Sequence, residues 1–168
     1  MAAPVLDATV SGASSNSYVT RATAQAYFDT RTGSEVWTAA SDEDSDRALI
    51  MATYRLEQEE YRGAVTTVEQ ALKWPRAGLT DDDGRLYVMT TIPAVIQRAC
   101  CELALAILAG EVTLADSGLE GFQHVQVGSL DVTPRASTSA GTLPQQVQRF
   151  LKGLWINSGG LSRPLVRC

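Results

Sequence analysis

The sequence has few of the residues that usually carry chemistry. Its 168 residues include one histidine and three cysteines, and it contains no Gly-rich phosphate loop and no HExxH or G-x-S-x-G motif. His124 has no cysteine or paired carboxylate near it in the sequence, which favours a structural role over that of a base. The sequence therefore predicts a protein that is not an enzyme and that uses no cofactor or metal.

Positive charge is also scarce. The formal net charge is -5 and the pI is about 4.8, which argues against broad attachment to DNA backbone or to an anionic membrane. No run of ~18 apolar residues is long enough to span a bilayer. Residues 1–17 lack the basic and apolar blocks of a secretory signal.

The cysteines give no disulfide framework. Cys100 and Cys101 are neighbours on a predicted helix, where adjacent side chains diverge, and Cys168 is the last residue. An odd number without a framework indicates a reduced, intracellular setting. Small core residues are the favoured interpretation of Cys100 and Cys101.

The apolar periodicity predicts a mainly α fold. We expect one domain built as a small helical bundle of about four helices, with one β-hairpin and extended terminal arms. The helices are predicted at about 21–31, 42–61 and 93–109, with a short one opening at Pro144. The third is apolar over more than half its circumference, so it is central in the bundle or packs on a neighbour as well.

Three segments follow from this pattern. Residues 1–17 are small and polar and predict a flexible arm, residues 18–156 form the helical domain, and residues 157–168 form an extended tail. Because that tail mixes aliphatic residues with two arginines, it is either disordered or inserted into a partner.

A long connection between the second and third helices carries the sequence QALKWPR at residues 70–76. Pro75 restricts both its own backbone and that of Trp74, so Trp74 is presented from a stiff loop. It points either into the core or toward a partner, and we expect Trp74 and Pro75 to anchor the loop in the core. Asp81, Asp82 and Asp83 lack the alternating ligand spacing of an EF-hand and predict a turn.

After residue 122 the period changes from 3.6 to 2. Val125 and Val127 form one alternating run and Leu130 begins a second, with Gly128 and Ser129 between them as a type II′ turn. A hairpin near 122–133 is the leading prediction, and a single bulged strand is the alternative. Because an isolated hairpin is marginal in water, it needs a helix beneath it or strands from another subunit.

The order of these motifs resembles a known family. The residues are NSYV at 16–19, QALKWPR at 70–76, Ile92-Pro93 opening a helix with Glu102-Leu103-Ala104, and VQVGSL at 125–130. Over residues 16–156 they resemble the head–tail connector, or adaptor, proteins of tailed bacteriophages, a sequence type also labelled DnaT-like single-stranded-DNA-binding protein.

The resemblance implies a structural virion protein of the phage neck. Its copies form a homo-oligomeric ring, usually twelve-fold, between the portal protein and the next neck or tail protein, after assembly in the host cytoplasm. DNA passes through the ring without sequence-specific binding, and no membrane is involved. An extended C-terminal arm would bind the portal, and the hairpin would contact neighbouring subunits or line the channel. The residues concerned are Trp155, Leu161, Arg163, Leu165, Val166 and Arg167 in the arm, and Val125, Val127, Gly128, Ser129 and Leu130 in the hairpin.

The alternative is a single-stranded-DNA binder of the primosomal kind. Such a protein combines stacking aromatics with a basic groove. Aromatic residues are available at Trp37, Tyr54, Tyr61 and Trp74, but lysine and arginine are sparse and scattered. An enzyme with an unrecognised site is a third hypothesis.

Overall fold

Within the residues that the computed structural model describes, 5–111 and 143–156, the chain is mainly α-helical, as the sequence predicts. These ranges contain five α-helices and one two-stranded antiparallel sheet. The elements are α1 (Arg21–Asp29), α2 (Glu35–Ala39), α3 (Asp42–Glu57), β1 (Ala64–Val65), β2 (Arg76–Ala77), α4 (Ala94–Leu108) and α5 (Gln145–Leu151).

Two helices begin at residues whose side chains cap them. Thr20 Oγ1 accepts the N–H of Thr23 at 3.1 Å, and Ser41 Oγ accepts the N–H of Asp44 at 3.1 Å. The helix predicted over 42–61 ends earlier, at Glu57. The residues that follow it turn away because Tyr61 forms a β-bridge with Trp155, which lies far along the chain.

The apolar helix α4 is the centre of the bundle. It packs against α3 and α5, with α1 and α2 also in contact, and its side chains are buried from Ala99 through Ala106. Helices of the same chain thus cover most of the apolar surface of α4. The sequence alone had also allowed this surface to pack against a neighbouring subunit. No helix in ranges 5–111 and 143–156 is long and apolar enough to cross a membrane.

The sheet lies in the connection where no strand was predicted. Ala64 pairs with Ala77 and Val65 with Arg76. Gly63, just before β1, has a φ of +73°, and a Cβ there would lie 2.4 Å from the carbonyl oxygen of Ala77. Only glycine fits this close approach. The hairpin predicted near 122–133 lies outside the described residues, as does the tail at 157–168.

Residues 5–17, within the segment for which the sequence predicts a flexible arm, make several hydrogen bonds. Asn16 Oδ1 accepts the N–H of Asp7 at 2.8 Å, and the Asp7 carbonyl accepts the N–H groups of Asn16 and Ser17. The Ala71 N–H donates to the carbonyl of Gly12 at 3.0 Å. Residues 5–17 thus form a hydrogen-bonded loop. Asparagine and aspartate side chains can bond to nearby backbone groups, and composition alone does not show which of these bonds form.

Candidate nucleic-acid interface

The glutamine of the QALKWPR segment holds its loop together from within. Gln70 Oε1 accepts the backbone N–H groups of Thr66 and Thr67, both at 3.1 Å, and the Thr66 hydroxyl at 2.8 Å. Gln70 Nε2 donates to the carbonyls of Leu72 at 2.6 Å and Pro75 at 3.2 Å. One side chain thereby satisfies several backbone groups of a loop that has no regular ladder.

Trp74 and Pro75 lie in the core. Trp74 is 1% exposed, Pro75 is among the fully buried residues, and the peptide bond between them is cis. The Trp74 ring meets Tyr61 edge to face, with ring centroids 5.5 Å apart. The structure therefore places this tryptophan where it stabilises the domain and not where it would meet a ligand.

Arg76 is also committed inside the domain. Its guanidinium donates to the carbonyls of Tyr61, Arg62, Gly63 and Lys73, at distances from 2.7 to 3.2 Å. A planar guanidinium with five donors is suited to gathering several carbonyls of one turn. This arginine is thus unavailable to a phosphate.

The NSYV segment is held against the same region. The Tyr18 hydroxyl donates to the carboxylate of Glu57, which also accepts the backbone N–H of Lys73 at 3.0 Å. The Tyr18 N–H donates to Thr53 Oγ1 at 3.2 Å. Glu57 therefore links two of the four motifs that carry the family resemblance, and both serve the scaffold.

A carboxylate is buried on the central helix. Glu102 on α4 has a side chain that is 5% exposed, and its carboxylate accepts from the guanidinium of Arg31 and the hydroxyl of Tyr27. Burial, followed by the hydrogen bond to Glu102, raises the pKa of Tyr27 to about 12. Arg31, the cationic partner of Glu102, comes from the loop after α1.

The three consecutive aspartates form a turn. Asp81 Oδ1 accepts the N–H of Asp83 at 3.0 Å and that of Arg85 at 2.9 Å. The backbone hydrogen bond from Arg85 lowers the pKa of Asp81. In the part of the chain that is described, no group of three or more histidine, cysteine or acidic side chains could hold a metal ion.

Most described arginines are paired with acidic side chains, which leaves few cations for a ligand. The paired residues are Arg21, Arg31, Arg47, Arg55 and Arg85. Within the described ranges, by contrast, the side chains of Arg62, Arg149 and Lys152 form no salt bridge. All three are exposed.

These three cations line one open groove, which we call the basic groove. It has a volume of about 580 Å³ and is also lined by Gln145, Gln148, Gly153, Trp155 and Ile156. None of these described lining residues is acidic. The basic groove therefore combines positive charge, amide groups and an aromatic ring in an otherwise acidic protein.

Backbone pairing builds the basic groove. The Arg62 N–H donates to the Leu154 carbonyl at 2.9 Å, and the Ile156 N–H donates to the Glu60 carbonyl at 2.7 Å. This pairing places the segment after α3 beside the segment after α5, so that Arg62 joins Arg149 and Lys152. Trp155 is partly buried and packs against the hydrophobic core, which fixes the ring at the edge of the groove.

The sequence-predicted site residues divide into three groups. Trp74 and Pro75 are in the core, Trp155 is in the basic groove, and the remaining arm and hairpin residues lie outside the described ranges. Sequence reasoning missed Arg62, Arg149 and Lys152 as a group. The spacing of Arg149, Lys152 and Trp155 near the C-terminus could have suggested a basic–aromatic site, but only the tertiary fold adds Arg62.

The comparisons with known proteins give one family. No curated protein and no solved structure matches the chain. Residues 3–168 match the family described as "Putative DnaT-like ssDNA binding protein". Since the match covers nearly the whole sequence, the chain belongs to this DnaT-like family.

Proposed function

We propose that this protein binds single-stranded DNA in the basic groove. The observation that carries the proposal is the meeting of Trp155 with three cations that form no salt bridge to any described residue, in a groove whose described lining contains no carboxylate. Proteins that bind single strands without sequence preference combine a positive groove with aromatic rings on which bases stack. The family match supports the same function.

The small number of cations in the groove sets the expected strength and salt dependence of DNA binding. Each phosphate neutralised on a single strand contributes a slope of about -0.7 to the dependence of log K on log salt. Three cations therefore predict a slope of about -2, which is shallow for a DNA-binding protein. Binding at low salt that fades toward physiological salt is expected, because the rest of the molecule is acidic.

Fluorescence anisotropy with a labelled oligothymidine, measured across salt concentrations, tests this proposal. Arg149→Glu should weaken binding and make the salt slope shallower by at least about 0.7. Arg98→Glu is the matched control, because this substitution makes the same change in charge. Arg98 is exposed on α4 and does not line the groove. Equal losses for the two variants, or no binding by the wild type, would contradict the proposal.

Trp155 tests the stacking component separately. Trp155→Ala should weaken binding by about 1–3 kcal/mol, and Trp155→Phe should restore part of that loss because it keeps an aromatic face. A duplex of the same length should bind less well, since its bases are not free to stack. Because Trp155 also forms a β-bridge with Tyr61, circular dichroism of both variants is needed to check that they keep the helical content of the wild type.

A head–tail adaptor of a tailed phage is the second candidate. Exposed apolar side chains favour it: Leu86 is 75% exposed, Val88 60% and Met89 55%. Such residues are typical of a subunit that awaits an assembly partner. In this role the protein would form a ring under the portal in the virion, and the arm from Trp155 to Cys168 would bind the portal. Neither candidate function involves catalysis.

Assembly with a purified portal protein separates the two candidates. The adaptor hypothesis expects a ring complex in negative-stain images, and loss of portal binding when residues 157–168 are deleted while the helical content is unchanged. Unchanged portal binding by that variant would contradict the assignment of Leu161, Leu165 and Val166 as anchors. Salt-sensitive oligonucleotide binding without any ring would favour the first candidate.

A further inference from the structure

A second hollow, which we call the aromatic hollow, adjoins the basic groove. It has a volume of about 270 Å³ and is lined in part by Tyr87, Val95 and Phe150. These three side chains are partly buried and pack against the hydrophobic core, which holds them in place. Because pockets for drug-sized ligands have volumes of about 300–1,000 Å³, the aromatic hollow suits a single small ring system.

The aromatic hollow and the basic groove share one edge. Arg149, Lys152 and Gly153 line both of them. Neither cation forms a salt bridge with any described residue. Gly153 has no side chain to stand between the two spaces, so a ligand backbone can approach closely there. A phosphate bound by Arg149 and Lys152 therefore lies where its nucleotide can turn toward the aromatic hollow.

One carboxylate of this lining is left without a cation. The guanidinium of Arg85 pairs with Asp81 and Asp83, and Asp81 also accepts two backbone N–H groups of the turn. Asp82 lines the hollow as well and forms no salt bridge within the described ranges. Its Oδ1 lies 3.9 Å from the position that a Cβ on Gly153 would occupy. The Asp82 carboxylate is thus at the shared edge, with its hydrogen-bonding capacity available to a ligand.

The turn that carries Asp82 is held beside the tyrosine ring. The Tyr87 N–H donates to the carbonyl of Leu79 at 3.0 Å, which ties the two ends of the turn together. Burial, followed by the charges of Asp81 and Asp82, raises the pKa of Tyr87. The aromatic hollow therefore offers flat apolar faces and a carboxylate acceptor in one hydrogen-bonded unit.

We infer that the aromatic hollow binds one base of a single strand whose phosphates lie in the basic groove, and that it favours a base with an amino group. This inference rests on the proposed function. Stacking on Tyr87 or Phe150 accommodates any base. Asp82 adds the preference, since a carboxylate accepts from the N4 amino group of cytosine, whereas thymine presents the O4 oxygen at the same position and is repelled.

Fluorescence anisotropy with oligodeoxycytidine and oligothymidine of equal length tests this preference. The wild type should bind oligodeoxycytidine about five-fold more tightly, the lower end of the range for a base-specific contact, because Asp82 is exposed. Asp82→Asn should remove the difference, since an amide donates to thymine O4 as readily as it accepts from cytosine N4. The ratio of the two affinities is the readout, because loss of a negative charge strengthens the binding of both strands.

Asp29→Asn is the matched control. Asp29 is exposed, undergoes the same chemical change and lines neither the aromatic hollow nor the basic groove, so this variant should keep the five-fold ratio. Equal affinities in the wild type, or an equal change of ratio in the two variants, would overturn the base preference and leave the proposed function intact. Failure of the wild type to bind either strand would overturn both.

Photochemical crosslinking locates the base. With 5-iododeoxycytidine placed in the oligodeoxycytidine, irradiation should form an adduct on Tyr87, identified by mass spectrometry of the peptides. A base stacked in the basic groove should give a separate adduct on Trp155. Adducts on Trp155 without any on Tyr87 would overturn the aromatic hollow as the base site, whatever the affinity ratio.

Discussion

The buried pair of Arg31 and Glu102 gives the sharpest test of how the bundle is held together. The Glu102 side chain is 5% exposed and that of Arg31 is 27% exposed. Arg31→Met removes the cation while keeping a side chain of similar length, and leaves the carboxylate with the Tyr27 hydroxyl as its remaining side-chain partner. Removing one member of a buried pair costs about 3–5 kcal/mol. Because Arg31 retains some solvent contact, we expect a loss of about 3 kcal/mol.

Thermal and urea unfolding measure this loss. For a chain of this length, each kcal/mol shifts Tm by roughly 2–4 °C, so Arg31→Met should lower Tm by about 6–12 °C. Adding Glu102→Gln to Arg31→Met should recover most of the stability, because the uncompensated charge is then gone. The double-mutant cycle reports the coupling between the two side chains directly.

Arg47 supplies the matched control. It pairs with Glu43 and Asp44 on the exposed face of α3, where its side chain is 44% exposed. Exposed pairs contribute about 0–1 kcal/mol, so Arg47→Met should be nearly neutral. If Arg31→Met costs no more than Arg47→Met, Glu102 does not depend on the cation and our account of the core charge is wrong.

The remaining predictions concern the loop, alkaline pH and the thiols. Gln70→Ala should cost about 0.5–1.5 kcal/mol in urea unfolding because it removes hydrogen bonds to partly exposed loop N–H groups, and Gln70→Glu should cost less because it keeps the accepting oxygen. The raised pKa of Tyr27 means that its contribution to stability is complete below pH 10 and is lost as the pH rises toward about 12, so Tyr27→Phe should reduce the alkaline loss. Cys168→Ser protein should show no thiol reactive with Ellman's reagent until it is denatured, since Cys100 and Cys101 are buried; native-state reaction would contradict that burial.

Local signals in the sequence predicted the helices α1, α3, α4 and α5, but not the short α2. Thr20 and Ser41 cap the helices that begin at Arg21 and Asp42, as their side-chain chemistry predicts, because a cap depends on residues only three positions away. The wide apolar surface of α4 likewise predicts either a central place in the bundle or a further contact with a neighbour, since it needs partners on several sides, and the structure has it central. These features are local or periodic, which is why one sequence suffices to find them.

Two features of the fold left no such signal. The strands β1 and β2 have two residues each, too few to show an alternating period. The end of α3 at Glu57 depends on pairing between residues 60–62 and residues 154–156. Both features depend on contacts between segments that are distant in the chain, and composition and spacing do not predict such contacts.

The candidate site shows the same division. The sequence by itself determined that the protein is acidic, poor in catalytic residues and mainly helical, and it drew attention to Trp74, which the fold uses in the core. Only the tertiary structure decided which cations are available, because salt bridges engage several of the described arginines and long-range backbone hydrogen bonds bring Arg62 to Arg149 and Trp155. Availability is a property of contacts, and contacts between distant segments exist only in the folded chain.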